Sequence, residues 1–318
     1  MEKLHTNLIL LLKIIFACLI LTVCVVPFLP NGRFTIFINQ DLIKLVYIPW
    51  SVLPVVMLFS VLNFLLEALK WKKVGAVVEQ FSFITAIKGV FAGIAFSNIF
   101  PWKTGEFIGK IAWLKEENRA KGAYLSVYSS MTQLFVTIVL GLLGLYFFSV
   151  NGINEIEKNR ISLISMGLLL FLLLFLFVFR NRVLQMTGKV LGKRVGEYFQ
   201  SMKSIPFTLT IQLLVLSFLR YVTFCAPYLI LFKIFVPELS VFIAVTGVSL
   251  VFLLQSIVPG FLLSDLPVKG FIHIAIFSTV IAEAWIVGNA VLLVFIINQI
   301  IPSVIGAWIL LAKRFRNV

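Results

Sequence analysis

Apolar residues recur along this chain in runs of about 18 positions or more, each long enough to cross the ~30 Å hydrocarbon layer of a bilayer. The pattern predicts full spans at 8–29, 42–67, 122–149, 161–179, 208–234 and 286–311. Two further regions, 83–117 and 238–283, do not read as simple spans. Each is apolar, is interrupted in its middle by Pro, Gly and charge, and becomes apolar again. The expected fold is therefore all-α: a polytopic integral membrane protein of about six full spans plus two re-entrant broken-helix hairpins. The first apolar run, LILLLKIIFACLILTVCVV, is too long for a signal-peptide core and no small-x-small cleavage site follows it, so it reads as a retained anchor.

Composition narrows the class. Of 318 residues 61% are hydrophobic, 13% are charged and 32 are Phe, more apolar surface than one soluble core can hide. The net charge of +14 does not mark a nucleic-acid binder, because the bases stand in short clusters at the ends of apolar runs. Cys18, Cys24 and Cys225 all fall within apolar runs, without metal-ligand or disulfide spacing, and read as small buried hydrophobes.

Charge also orients the spans. Lys70, Lys72 and Lys73 follow the second; Lys115, Arg119 and Lys121 precede the third. Arg180, Arg182, Lys189, Lys193, Arg194 and Lys203 separate the fourth from the fifth, and Lys313, Arg314 and Arg316 close the chain. The opposite loops hold only Arg33, Lys158 and Arg160. Cytoplasmic termini place every cluster inside, provided that each broken region enters and leaves by one face. A repeat then emerges within a single membrane domain, 1–318: a first half, 1–149, with the hairpin 83–117, and an inverted second half, 161–318, with the hairpin 238–283. Two other segments, 185–204 and 74–82, read as amphipathic helices lying in the interface.

The two hairpin tips share a chemistry. NIFPWKTGEFIGK begins at Asn98, and QSIVPGFLLSDLPVKG begins at Gln255. In each an amide precedes a proline, and an acid follows with a lysine four residues on: Glu106 with Lys110, and Asp265 with Lys269. One such pair on a surface is ordinary helix stabilisation. Two pairs beside breaks in apolar segments point to a site, as broken helices of inverted repeats do in transporters. Pro101, Gly105, Pro259, Gly260, Pro267 and Gly270 are the expected hinges, and Asn98, Lys103, Glu106, Lys110, Arg220, Asp265 and Lys269 the expected substrate contacts. Arg220, inside the span 208–234, needs a partner or a wet cavity, either an anion such as a lipid phosphate or a carboxylate, Asp265 or Glu106. Glu67 reads as an interfacial, snorkelling residue, Lys88 as part of the first hairpin, and Gln133, Asn298 and Gln299 as bonds between helices. His273 has only His5 as a fellow histidine, so no metal site is expected.

No phosphate-binding glycine loop, nucleophile elbow or paired His/Cys ligands are present in the sequence, so neither an enzyme nor a cofactor is expected. An intramembrane transferase with Glu106 or Asp265 as base would need an acceptor-activating site that the sequence does not offer.

The stretch IAFSNIFPWKTGEFIGK, with the long span after it, resembles the first signature of the lysylphosphatidylglycerol synthase transmembrane (flippase-like) family. SIVPGFLLSDLPVKGFIHIAIF resembles the second, with Pro267 in place of the usual Gly and Lys269 in place of Arg. The resemblance implies a translocator without the family's soluble synthase domain, moving an anionic or aminoacylated phospholipid across a bacterial inner membrane. Two other functions fit the same residues: a carrier of polyprenyl-linked saccharide, and a non-transporting membrane partner of a lipid-modifying synthase. The expected partners are membrane phospholipids, with a separate lipid-modifying enzyme and further copies of the chain as others, and no nucleic acid.

Overall fold

A computed structural model describes residues 51–98, 105–152, 164, 166–168, 205–258 and 262–316. The span expected at 8–29, nearly all of that at 161–179 and the amphipathic segment 185–204 lie outside the described residues. Every regular element among the described residues is a helix.

Helix α1, Val52–Gly75, carries Pro54 in its first turn, where the missing N–H breaks no intrahelical bond. It starts and ends later than the expected span 42–67, so Lys70, Lys72 and Lys73 belong to its last turns instead of following it. The segment 74–82 is not an amphipathic helix: α1 stops at Gly75, and Ala76 donates its N–H to the Lys72 carbonyl at 3.1 Å. Any Cβ at Gly75 would meet the Phe81 ring, which folds back onto Trp71 with ring centroids 5.8 Å apart. That aromatic contact turns the chain where an interfacial helix was expected.

Helix α2, Phe83–Ser97, is capped by the Ser82 hydroxyl, which accepts the Thr85 N–H at 3.1 Å. After a break comes α3, Gly105–Ile111, antiparallel to α2, and then α4, Glu116–Gly152, with two acids in its first turn to suit the helix dipole. Helix α5 is Phe207–Phe235; α6, Val241–Ile257, and α7, Leu262–Phe277, flank the second break. Helix α8, Ala284–Phe295, continues through a π-helical turn, Ile296–Ile300, into α9, Ile301–Arg316. Pro302 lacks the N–H that would bond the Asn298 carbonyl, and the widened turn falls just before it.

Four stretches are long and apolar enough to cross a membrane: Val52–Gly75, Glu116–Ser149, Phe207–Phe235 and Ala284–Ala312. With 15 and 17 residues, α2 and α6 are about 22 and 25 Å long, short of the ~30 Å core. Outward faces of α1 and α5 expose Leu58, Val61, Leu62, Leu65, Val215, Phe218 and Val222, a surface that suits hydrocarbon.

Close approach between helices is made by small residues, the usual device where lipid competes with side-chain packing. A Cβ at Gly93 would lie 2.6 Å from the Glu106 carbonyl oxygen, so α2 and α3 meet almost backbone to backbone. Gly144 of α4 rests on Ser249 and the Thr246 carbonyl of α6, and Gly306 of α9 rests on the Phe91 carbonyl of α2. One apolar core gathers Tyr221, Tyr228, Phe232, Phe252 and Phe277 from α5 to α7. A second surrounds Trp71 with Val90, Leu114, Leu125 and Leu213.

Candidate functional site

Helix α1 places Ser60, Asn63, Glu67 and Lys70 at successive steps of three and four residues, hence on one face, and all four are buried. Glu67, 4% exposed, sits at the centre of a charge network. One carboxylate oxygen takes Lys110 Nζ at 2.5 Å and the other Arg220 Nη1 at 2.5 Å. Lys110, itself 1% exposed, also holds Glu106 at 2.6 Å. The Arg220 guanidinium donates to Gln133 Oε1 from Nη1 and to Asn63 Oδ1 from Nη2, each at 3.3 Å. Asn63 Nδ2 in turn donates to the Arg220 carbonyl at 3.1 Å and to Thr223 Oγ1 at 3.2 Å. One carboxylate thus ties α1 to α3 and α5, and Arg220 carries the network on to Gln133 of α4.

Helix α7 contributes the second pair, Lys269 Nζ to Asp265 Oδ2 at 2.7 Å. Behind it His273 is fully buried, its Nδ1 2.7 Å from the Lys269 carbonyl, which can only accept, so that nitrogen carries the proton. Its ring stacks on Tyr228 with centroids 4.7 Å apart.

These groups surround a cavity of about 360 Å³. Glu67 and Lys70 line it from α1, Glu106 from α3, Gln133 and Thr137 from α4, Arg220 from α5, Gln255 from α6, and Asp265 and Lys269 from α7. Leu134, also in the lining, is 44% exposed, so the wall formed by α4 is open to the outside of the helix bundle. Three cations (Lys70, Arg220, Lys269) and three carboxylates (Glu67, Glu106, Asp265) line the cavity, and Lys110 stands behind them as a fourth cation, paired with Glu67 and Glu106. Chemically, the arrangement can desolvate and hold one anionic group. Among the described residues no cluster of three His, Cys, Asp or Glu is placed to hold a metal ion.

The structure brings Glu106, Lys110, Arg220, Asp265 and Lys269 to one place. Asn98 it does not: the residue caps α2, accepts from Gln299 Nε2 of the π-helical turn and donates to Ser303 Oγ of α9. Lys103, Pro101, Pro259 and Gly260 lie outside the described residues. Gly105 opens α3 with its Cα against the Phe96 carbonyl. Pro267 and Gly270 lie within α7, past the break that precedes Leu262, and a Cβ on Gly270 would touch nothing within 4 Å. Glu67 is not a snorkelling interfacial residue but the buried partner of Arg220, in the place foreseen for Asp265 or Glu106. Lys88 rests over the Trp113 ring at 5.7 Å. As members of the site, Glu67, Lys70 and Asn63 escaped the sequence reading, which took Glu67 as interfacial and Lys70 as part of a cytoplasmic cluster, although their helical spacing beside an apolar run was the available signal. No family model matches the chain, and no curated protein matches it.

Proposed function

We propose that the protein is a lipid translocator whose two halves form an inverted repeat around this cavity. Most packed pairs of helices have a counterpart when the halves exchange; α4–α5 is answered only by the π-helical turn against α1. The pair α1–α2 answers to α5–α6, α2–α3 to α6–α7, α3–α4 to α7–α8, and α1–α4 to α5–α8. The pair α4–α6 answers to α9–α2, both closed over glycines, and α1 meets α5 at the pseudo-axis. Helices too short to span, each followed by a break and a second helix, fit hairpins that enter and leave by one face. Cytoplasmic termini in a bacterial inner membrane fit the lysine and arginine clusters.

One observation carries the functional reading: a cavity lined by three bases (Lys70, Arg220, Lys269) and three acids (Glu67, Glu106, Asp265), inside helices whose outer faces suit lipid. Ionisable groups at that depth are costly and mark a pathway for polar cargo. An anionic or aminoacylated phospholipid headgroup would occupy the cavity while its acyl chains stay in the bilayer, beside Leu134. Paired charges lower the barrier to crossing because the phosphate exchanges water for fixed partners. The resemblance to the flippase-like family leads to the same reading. Native mass spectrometry of the gently extracted protein tests it. Retained anionic phospholipid, displaced by adding the same lipid, is the expected result. Retention of a polyprenyl-linked saccharide alone would replace the phospholipid reading, and absence of any bound lipid would argue for a non-transporting partner.

A further inference from the structure

Around the cavity, three of the four cations have carboxylate partners: Lys110 has Glu67 and Glu106, Arg220 has Glu67, and Lys269 has Asp265. Lys70 makes no ion pair within 4.0 Å and no hydrogen bond among the described residues, and feels Glu67 and Glu106 only at longer range. Yet it is 1% exposed and lines the cavity, one helical turn beyond Glu67 on the same face of α1. Its sequence neighbours behave differently: Lys72 and Lys73 are only partly buried, and Lys73 donates to Gln212 Oε1 at 3.1 Å. A buried ammonium with no hydrogen bond of its own is unfavourable for folding alone, and aliphatic burial would be better served by Leu or Met. The same residue supplies the excess positive charge of the cluster.

We propose that Lys70 is the residue that takes the bound anion, its ammonium donating to an oxygen of a phosphate group in the cavity. The assignment rests on the reading of the cavity as a headgroup site, and deepens it by naming the group that meets the phosphate. Arg220, held by Glu67, forms part of the wall against which that phosphate sits. Lys70, the cation left over, is neutralised when the ligand arrives.

The test uses the full chain in a neutral detergent, with Lys70→Met and Lys70→Gln beside the wild type. Binding is measured calorimetrically for short-chain phosphatidylglycerol (one negative charge), short-chain phosphatidylcholine (net neutral) and inorganic phosphate. The wild type should prefer phosphatidylglycerol to phosphatidylcholine. Both variants should bind phosphatidylglycerol about 10- to 100-fold more weakly, the range expected for one charge-assisted hydrogen bond. Their lipid-free melting temperature should be unchanged or higher. Undiminished phosphatidylglycerol binding in both variants would overturn the assignment to Lys70 and leave the headgroup reading standing. A lipid-free loss of stability in both would also overturn it, since the ammonium would then hold the fold. A wild type with no preference between the lipids would overturn the headgroup reading itself. Tight inorganic phosphate binding that vanishes with Lys70 would support the Lys70 contact and assign the anion to a free phosphate.

Discussion

Replacing Glu67 by Gln should be the most damaging single isosteric change in the cluster. The side chain keeps its shape and loses one negative charge that faces two cations at 2.5 Å. Lys110 retains Glu106 at 2.6 Å, so the uncompensated charge is Arg220, whose only carboxylate partner among the described residues is Glu67. Removing one partner of a buried pair costs about 3–5 kcal/mol. The lower end applies here, because the Gln amide oxygen still accepts from one cation and Arg220 keeps Gln133 and Asn63. About 3 kcal/mol corresponds to a fall of roughly 6–12 °C in Tm. Thermal unfolding of the detergent-solubilised protein measures it. The double change Glu67→Gln with Arg220→Met should restore most of the loss, because no unpaired charge is then left buried. An unchanged Tm for Glu67→Gln would refute the reasoning, as would rescue of Arg220→Met by Asp265→Asn in place of a Glu67 change.

Asp265→Asn removes the charge partner of Lys269, which also lies over the Phe295 ring at 5.3 Å, in a somewhat more exposed pair, so its loss of Tm should be smaller than that of Glu67→Gln. Gly306→Val drives side-chain atoms into the Phe91 carbonyl and should cost about 1–3 kcal/mol in the same melt. In a background without native cysteines, labels at Gly152 and Glu238 should react from outside, and labels at Lys72 and Arg316 only after permeabilisation. External labelling at Arg316 would end the inverted-repeat proposal.

The long apolar runs were legible because length and composition alone identify a membrane helix. The spans 122–149, 208–234 and 286–311 lie within two residues of the membrane-length stretches Glu116–Ser149, Phe207–Phe235 and Ala284–Ala312, except at the start of α4, where the helix begins in a polar first turn with Glu116 and Glu117. Both breaks were marked by proline and glycine, but Pro267 misled: in α7 a proline sits within the helix. Glu106 with Lys110 and Asp265 with Lys269 were readable as local pairs, since a spacing of four residues dictates contact. The tie from Glu67 to Arg220 was not, because it joins α1 to α5 across 153 positions (220 − 67) and depends on how those helices pack. Lys70 was hidden by its company: in ALKWKK it looked like one more base at a cytoplasmic end, while the helix turns it inward and leaves Lys72 and Lys73 partly exposed.

Lipid movement in reconstituted vesicles tests the central proposal most directly. Fluorescent phosphatidylglycerol is placed in both leaflets, and an impermeant quencher added outside reports the rate at which inner-leaflet lipid becomes accessible. Wild-type protein should carry the signal well past the half quenched at once, on a timescale at which protein-free vesicles stay at half. Folded protein carrying both Glu106→Gln and Asp265→Asn should behave like the empty vesicles. A wild type indistinguishable from empty vesicles, or a double variant as fast as the wild type, would contradict the proposal that headgroups cross through this cavity.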